Sequence, residues 1–292
     1  MSIISEINSF IDLVARVKSW ITERRSKSQP STPAGRFIKL FEAHGIHRNQ
    51  IPRYFPEALS LAVVQSDEKL SEVLDQRLID SASQLFGVNP EWIECASSQV
   101  YQTRDFYKYP LEFLDYVDTI LSKGSRLKGV VFTADGDSLS HEQDTFILLI
   151  ESFETHEGLS LERYHILDGW HFDYGKSRAY LSLCVTAAWN RKAYIQGRTV
   201  SQEFIEKYSG GCTLLQSEVT ESWLGKRWFP EDLGLDPAIL IKNLPTIQDK
   251  ETALRVVINQ RAKDTRLLPV EFSIFDRVTT FQEALDSLTE KE

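Results

Sequence analysis

The chain has 292 residues, with 33 Lys+Arg, 42 Asp+Glu, 42% apolar residues and a formal net charge of −9. This balance belongs to a globular protein and excludes collagen-like, disulfide-scaffold and wholly disordered chains. Net acidity argues against a protein that coats nucleic acid or an anionic membrane without specificity, and the length suggests about two domains.

Taken in chain order, residues 2–25 carry the cleanest periodic signal. Ile3, Ile7, Phe10, Val14, Val17 and Ile21 recur at spacings of 4, 3, 4, 3 and 4, the stripe of an amphipathic helix. Such a stripe must be covered. It can pair with a second copy of the chain, dock on its own body or lie on a membrane surface. Residues 26–34, rich in Ser and Pro, read as a linker. Phe37, Leu40 and Phe41 give the next helix one apolar face, ending at Gly45. A short helix over Arg48–Phe55, a third at Leu70–Leu74 and a fourth at Leu78–Phe86 follow, the last closed by Gly87. Asn89 and Pro90 then open one more turn as cap and first helical residue.

Charge divides unevenly along the chain. Residues 1–55 hold nine bases and four acids, a net of +5, so the remainder stands at −14. A basic arm on an acidic body leaves localised contact with an anionic partner open.

The run from Leu78 to Ile93, a helix, a Gly87-Val88 turn and a short helix with a Trp92-Ile93 pair, resembles the closing helices of Cro/repressor-like helix-turn-helix regulators. The resemblance covers residues 35–97. It implies that Phe37–Phe55 holds the helix-turn-helix proper. Pro52, Pro56 and the apolar segment Leu59–Val64 depart from the family's groove-facing pattern. If the unit reads double-stranded DNA, Arg48, Asn49, Gln50 and Arg53 are the base-reading candidates, since Arg pairs with guanine and Asn or Gln with adenine. Arg36 and Lys39 are then the phosphate contacts. The alternative is a protein-interaction module that has lost DNA reading.

Tyr101–Tyr109 reads as an aromatic connector, and Pro110 opens a helix with Leu111, Leu114, Val117, Ile120 and Leu121 on one face. Strands are expected at Leu127–Thr133, at Thr145–Phe153 (apolar on both faces and therefore central) and at Arg163–Tyr174. Gly175-Lys176 reads as a hairpin turn into a further strand, Arg178–Ala188, before a turn and short strand over Asn190–Gly197. Thr199 with Gln202 predicts a capping box for a helix over Val200–Tyr208, and Thr280 with Glu283 another before a terminal helix. Thr252–Ala262 reads as helical, and Trp223, Trp228 and Phe229 as a surface strap.

The expected fold is α+β: an all-helical repressor-like module followed by a mostly antiparallel sheet with flanking helices. Its expected parts are the N-terminal helix (1–25), a linker (26–34), the helical module (35–100), an α+β sensing or interaction domain (105–215) and a C-terminal strap with helices (216–292).

Three cysteines (Cys95, Cys184, Cys212) without CxxC spacing predict neither a disulfide framework nor a zinc site. No apolar stretch approaches the roughly 20 residues of a membrane span. The N-terminal apolar run is interrupted by Glu6 and Asp12 with its bases afterwards, an order unlike a secretory signal, so the expected location is cytoplasmic. His165, Asp168, His171 and Asp173 form the densest polar cluster and read as structural histidines ahead of a metal site. Asp135 and Asp137 lack the spacing of a calcium loop and read as turn formers.

No phosphate-loop, dinucleotide, nucleophile-elbow or zinc-protease motif is present, so neither cofactor nor metal is expected and no catalytic residue is assigned. The functional expectation is a bacterial transcriptional regulator that couples DNA, self-association through residues 3–21, and a small ligand or protein partner. An enzyme with an unrecognised site in the α+β domain is the further alternative.

Overall fold

The computed structural model describes residues 31–135, 144–155, 158–216, 224–270 and 277–290. The first helix of the described residues, α1 (Pro33–Ala43), starts within the expected linker. Thr32 caps it, its side-chain oxygen accepting from the Gly35 amide at 3.2 Å, and Pro33 fills the first helical position, where no amide is needed. Instead of a second α-helix, Arg48–Arg53 forms a 3-10 helix that contains Pro52 and is capped reciprocally by His47 and Gln50. Short helices α2 (Leu61–Val64) and α3 (Asp67–Val73) follow. Next come α4 (Gln76–Phe86), closed by Gly87 at φ 69°, and α5 (Pro90–Ile93). Gly87 is needed there because left-handed backbone is strained for residues with a Cβ.

The sheet has six strands in the order β1 (Thr103–Asp105), β4 (Ser160–His171), β3 (Asp144–Glu154), β2 (Arg126–Ala134), β5 (Tyr194–Val200) and β6 (Lys226–Trp228). It is mixed, not mostly antiparallel. β2, β3 and β4 form an antiparallel meander and β6 runs against β5, but β1 lies parallel to β4 and β5 parallel to β2. Both outer strands fall in segments expected to be connectors. β3 is central and its alternate residues enter two separate cores, which explains its continuous apolar sequence.

The largest correction concerns residues 175–189. The expected hairpin and strand are one helix, α7 (Gly175–Trp189), which carries the chain from β4 across to β5. It is buried from Gly175 to Ala188 on almost every side, so its sequence lacks the polar face that marks a surface helix. The helix α8 (Gln202–Tyr208) is capped by Ser201 and not by the expected Thr199. The C-terminal region holds α9 (Asp232–Leu235), α10 (Pro237–Ile241) and α11 (Ile247–Lys263, capped by Thr246). The last helix, α12 (Arg277–Thr289), begins before Thr280, which therefore does not cap it.

Three layers result. The helical module and α8 cover one face of the sheet, burying Phe37, Phe41, Phe86 and Trp92 with Phe132, Phe146, Leu148 and Ile150. The helix α6 (Pro110–Leu121) with α7, α11 and α12 covers the other, around Phe113, Val117, Ile147, Leu149, Leu181 and Leu254. Among the described residues no helix is long and apolar enough to cross a membrane.

Candidate functional site

The residues expected to touch DNA divide into two groups. Arg36 is turned inward: its guanidinium donates to the Trp92 and Ser97 carbonyls and lies 5.5 Å from the Trp92 ring centre. Arg48 donates to the Val64 carbonyl and pairs with Asp67, clamping the 3-10 helix to α2 and α3. Lys39 is half-buried, and burial, then the neighbouring Arg36 charge, lowers its pKa. Asn49, Gln50 and Arg53 remain exposed, although the Gln50 carbonyl oxygen accepts from the His47 amide at 2.9 Å. Charge on the whole module is also unfavourable to phosphate. Residues 31–97 hold six bases against nine acids, a net of −3, so the basic character of residues 1–55 does not extend over the module. The stripe Ile3, Ile7, Phe10, Val14, Val17 and Ile21 lies outside the described residues.

The polar cluster of β4 is split between two sites. His171 pairs through Nδ1 with Asp144 at 3.0 Å, and Asp144 also accepts from Gln202 at 3.0 Å. Asp168 lies in the same neighbourhood; burial, then the charges of Asp144 and Asp105, raises its pKa. Among the described residues no group of three or more His, Cys, Asp or Glu is placed to hold a metal ion.

His165 belongs to a different construction on the α6 side of the sheet. Its Nε2 is 3.0 Å from Oε2 of Glu151 and its Nδ1 is 2.7 Å from the Tyr116 hydroxyl. Glu151 is 2% exposed. A charge so deeply buried persists only with partners, and it has three. Ser125 donates to Oε1 at 2.7 Å, while Arg163 and His165 donate to Oε2 at 3.0 Å each. Burial alone would raise the carboxyl pKa. The hydrogen bonds from His165 and Ser125 and the charges of Arg163 and His165 outweigh it and bring the pKa down to about 2.

The direction of the protons follows. An ionised Glu151 only accepts, so Nε2 of His165 carries hydrogen and donates to it. In the neutral form of the imidazole, Nδ1 then accepts from the Tyr116 hydroxyl, 2.7 Å away. Burial keeps that phenol protonated by raising its pKa, against the opposing charge of Arg104. Arg104 is exposed, and its guanidinium lies over the Tyr116 ring, 4.8 Å from the ring centre.

Hydroxyl, imidazole and carboxylate are thus aligned from half-buried Tyr116 on α6 through β4 to β3. This order allows a base to withdraw a proton from a hydroxyl while a buried anion stabilises the resulting imidazolium. Sequence reading flagged His165 but missed its partners. The available signal was Glu151, the lone charge in the run Phe146–Phe153. No family model matches the chain, and no curated protein or solved structure is significantly similar to it.

Proposed function

We propose that this chain is a regulatory protein whose repressor-like helical unit binds another protein and does not read DNA. The observation that carries this reading is the engagement of Arg48, one of the two cations of the expected base-reading set, with Val64 and Asp67 of the module itself. A cation already paired with an acid of the same module has less to give a base edge or a phosphate. The net negative module supports the same reading, since affinity for duplex DNA comes largely from neutralised phosphates. Leu61 on α2 and Val73 on α3 are exposed at 54% and 37%, apolar side chains for a protein partner to cover.

Fluorescence anisotropy with mixed-sequence duplexes across a salt series tests the proposal. The expected result is no binding at low salt, for the full chain and for Gln50→Ala and Arg53→Ala alike. Affinity that falls linearly on log–log axes with salt and weakens in Arg53→Ala would overturn it and restore the exposed edge of the 3-10 helix as a DNA contact.

A further inference from the structure

We propose that Tyr116 is a nucleophile activated by His165 and Glu151, and that the site accepts a phosphodiester. The argument starts from geometry. The phenol oxygen stands 2.7 Å from a basic imidazole nitrogen whose other nitrogen is held at 3.0 Å by a buried carboxylate. Ser125 and Arg163 fix that carboxylate in turn, so the imidazole cannot rotate without breaking a bond to a buried charge. Four elements contribute: α6, the turn before β2, β3 and β4.

Arg104 selects the substrate class. Its exposed guanidinium lies over the Tyr116 ring, 4.8 Å from the ring centre, whereas Arg163 is spent on Glu151 and the Gln84 carbonyl. One exposed guanidinium over the phenol matches the single negative charge of a diester. In the step, the Tyr116 oxygen attacks phosphorus and an O–P bond forms as the bond to one esterified alcohol breaks. The phenolic proton passes to Nδ1 of His165, Glu151 balances the imidazolium, and the departing alkoxide takes that proton. The product is an alcohol and a Tyr116 phosphodiester. This inference does not depend on the role of the helical module.

Two reagents test it on the full chain. Phenylmethylsulfonyl fluoride, which is neutral, reads the nucleophile alone: an O–S bond forms and fluoride leaves. Tyr109, Tyr174 and Tyr194 are built-in controls, because they are 53%, 44% and 46% exposed. Peptide mass spectrometry is expected to find Tyr116 labelled about 100-fold faster than these three, and His165→Asn to remove that advantage without changing the controls. Labelling of Tyr116 no faster than the exposed tyrosines overturns the nucleophile whether or not any variant folds.

Bis(4-nitrophenyl) phosphate reads the class. One equivalent of 4-nitrophenolate and a mass adduct on Tyr116 are expected. Arg104→Ala should lose this adduct while keeping the sulfonyl one. Absence of the phosphoryl adduct in the unaltered chain, or equal loss of both adducts in Arg104→Ala, overturns the phosphodiester assignment. A single-stranded oligonucleotide then separates two sources of the same chemistry. A covalent protein–DNA species identifies a nucleic acid diester, and an adduct from the small diester alone identifies a small-molecule one.

Discussion

At the scale of single residues, His44 couples stability to pH. It follows α1, and its ring stacks on Tyr164 of the sheet at 5.2 Å and lies 4.3 Å from Phe86 of α4. Nδ1 donates to the Leu40 carbonyl at 2.8 Å, which leaves Nε2 buried without a partner. Burial lowers the pKa from 6.5 to about 4, against the Leu40 hydrogen bond and the Glu162 charge that favour protonation. A folded pKa below the unfolded one means that the unfolded chain takes up the proton first. The contribution is therefore fully present above pH 6.5 and is lost as pH falls from 6.5 through 4, about 3 kcal/mol in all. His44→Phe keeps an apolar ring and cannot titrate. Urea unfolding at pH 7 and pH 4 should show a stability gap between the two pH values that is smaller by that amount in the variant. An equal gap in both proteins would show that His44 does not carry this pH dependence.

At the scale of elements, α7 depends on a glycine contact that propensity would not select. A Cβ on Gly175 would overlap the backbone carbonyl of Asp249 in α11, and backbone cannot move aside as a flexible side chain can. Gly175→Ala should cost about 2 kcal/mol and lower the melting temperature by roughly 4–8 °C. Gly210→Ala is the matched control: no atom lies within 4 Å of the added carbon, so its melting temperature should stay within about 2 °C of the parent. The same helix shows where sequence reading fails. Residues 178–188 lack a polar stripe because α7 is covered from all sides, and a short apolar run without period fits a strand as well as a buried helix. Strands β1 and β6 were missed because three exposed or half-exposed residues carry no alternation. Helices with their own punctuation were legible: α4 ending at Gly87, α5 opening at Asn89-Pro90, and α6 opening at Pro110. The Tyr116 site was not, because its members lie 35 and 14 residues apart along the chain. Local periodicity gives no information about such a meeting. Glu151 could have signalled it, since a charge inside an apolar central strand demands partners from elsewhere.

At the scale of the whole molecule, the apolar core continues beyond residue 100. Phe86 and Trp92 of the helical module share one buried cluster with Phe146, Leu148 and Tyr164 of the sheet. Arg163 strengthens the junction by bonding the Gln84 carbonyl of α4 and Glu151 of β3 together. Its stem lies where a Cβ on Gly87 would stand. A module fused in this way to a sheet face should unfold with the sheet. Self-association, by contrast, is the role proposed for residues 3–21, which lie outside the described residues. Deleting residues 1–30 therefore separates the two properties. We expect light scattering to show a dimer for the full chain and a monomer for the shortened one. Both should melt in one transition at the same temperature apart from the dimer's concentration dependence. A mass that does not change on deletion rejects pairing through the stripe. A shortened chain that stays monomeric but melts much earlier, beside a monomeric full chain, would show instead that the segment packs on its own body. Two separate transitions in either chain would show that the helical module and the sheet are independent despite their common core, because a shared buried cluster cannot lose one half without exposing the other.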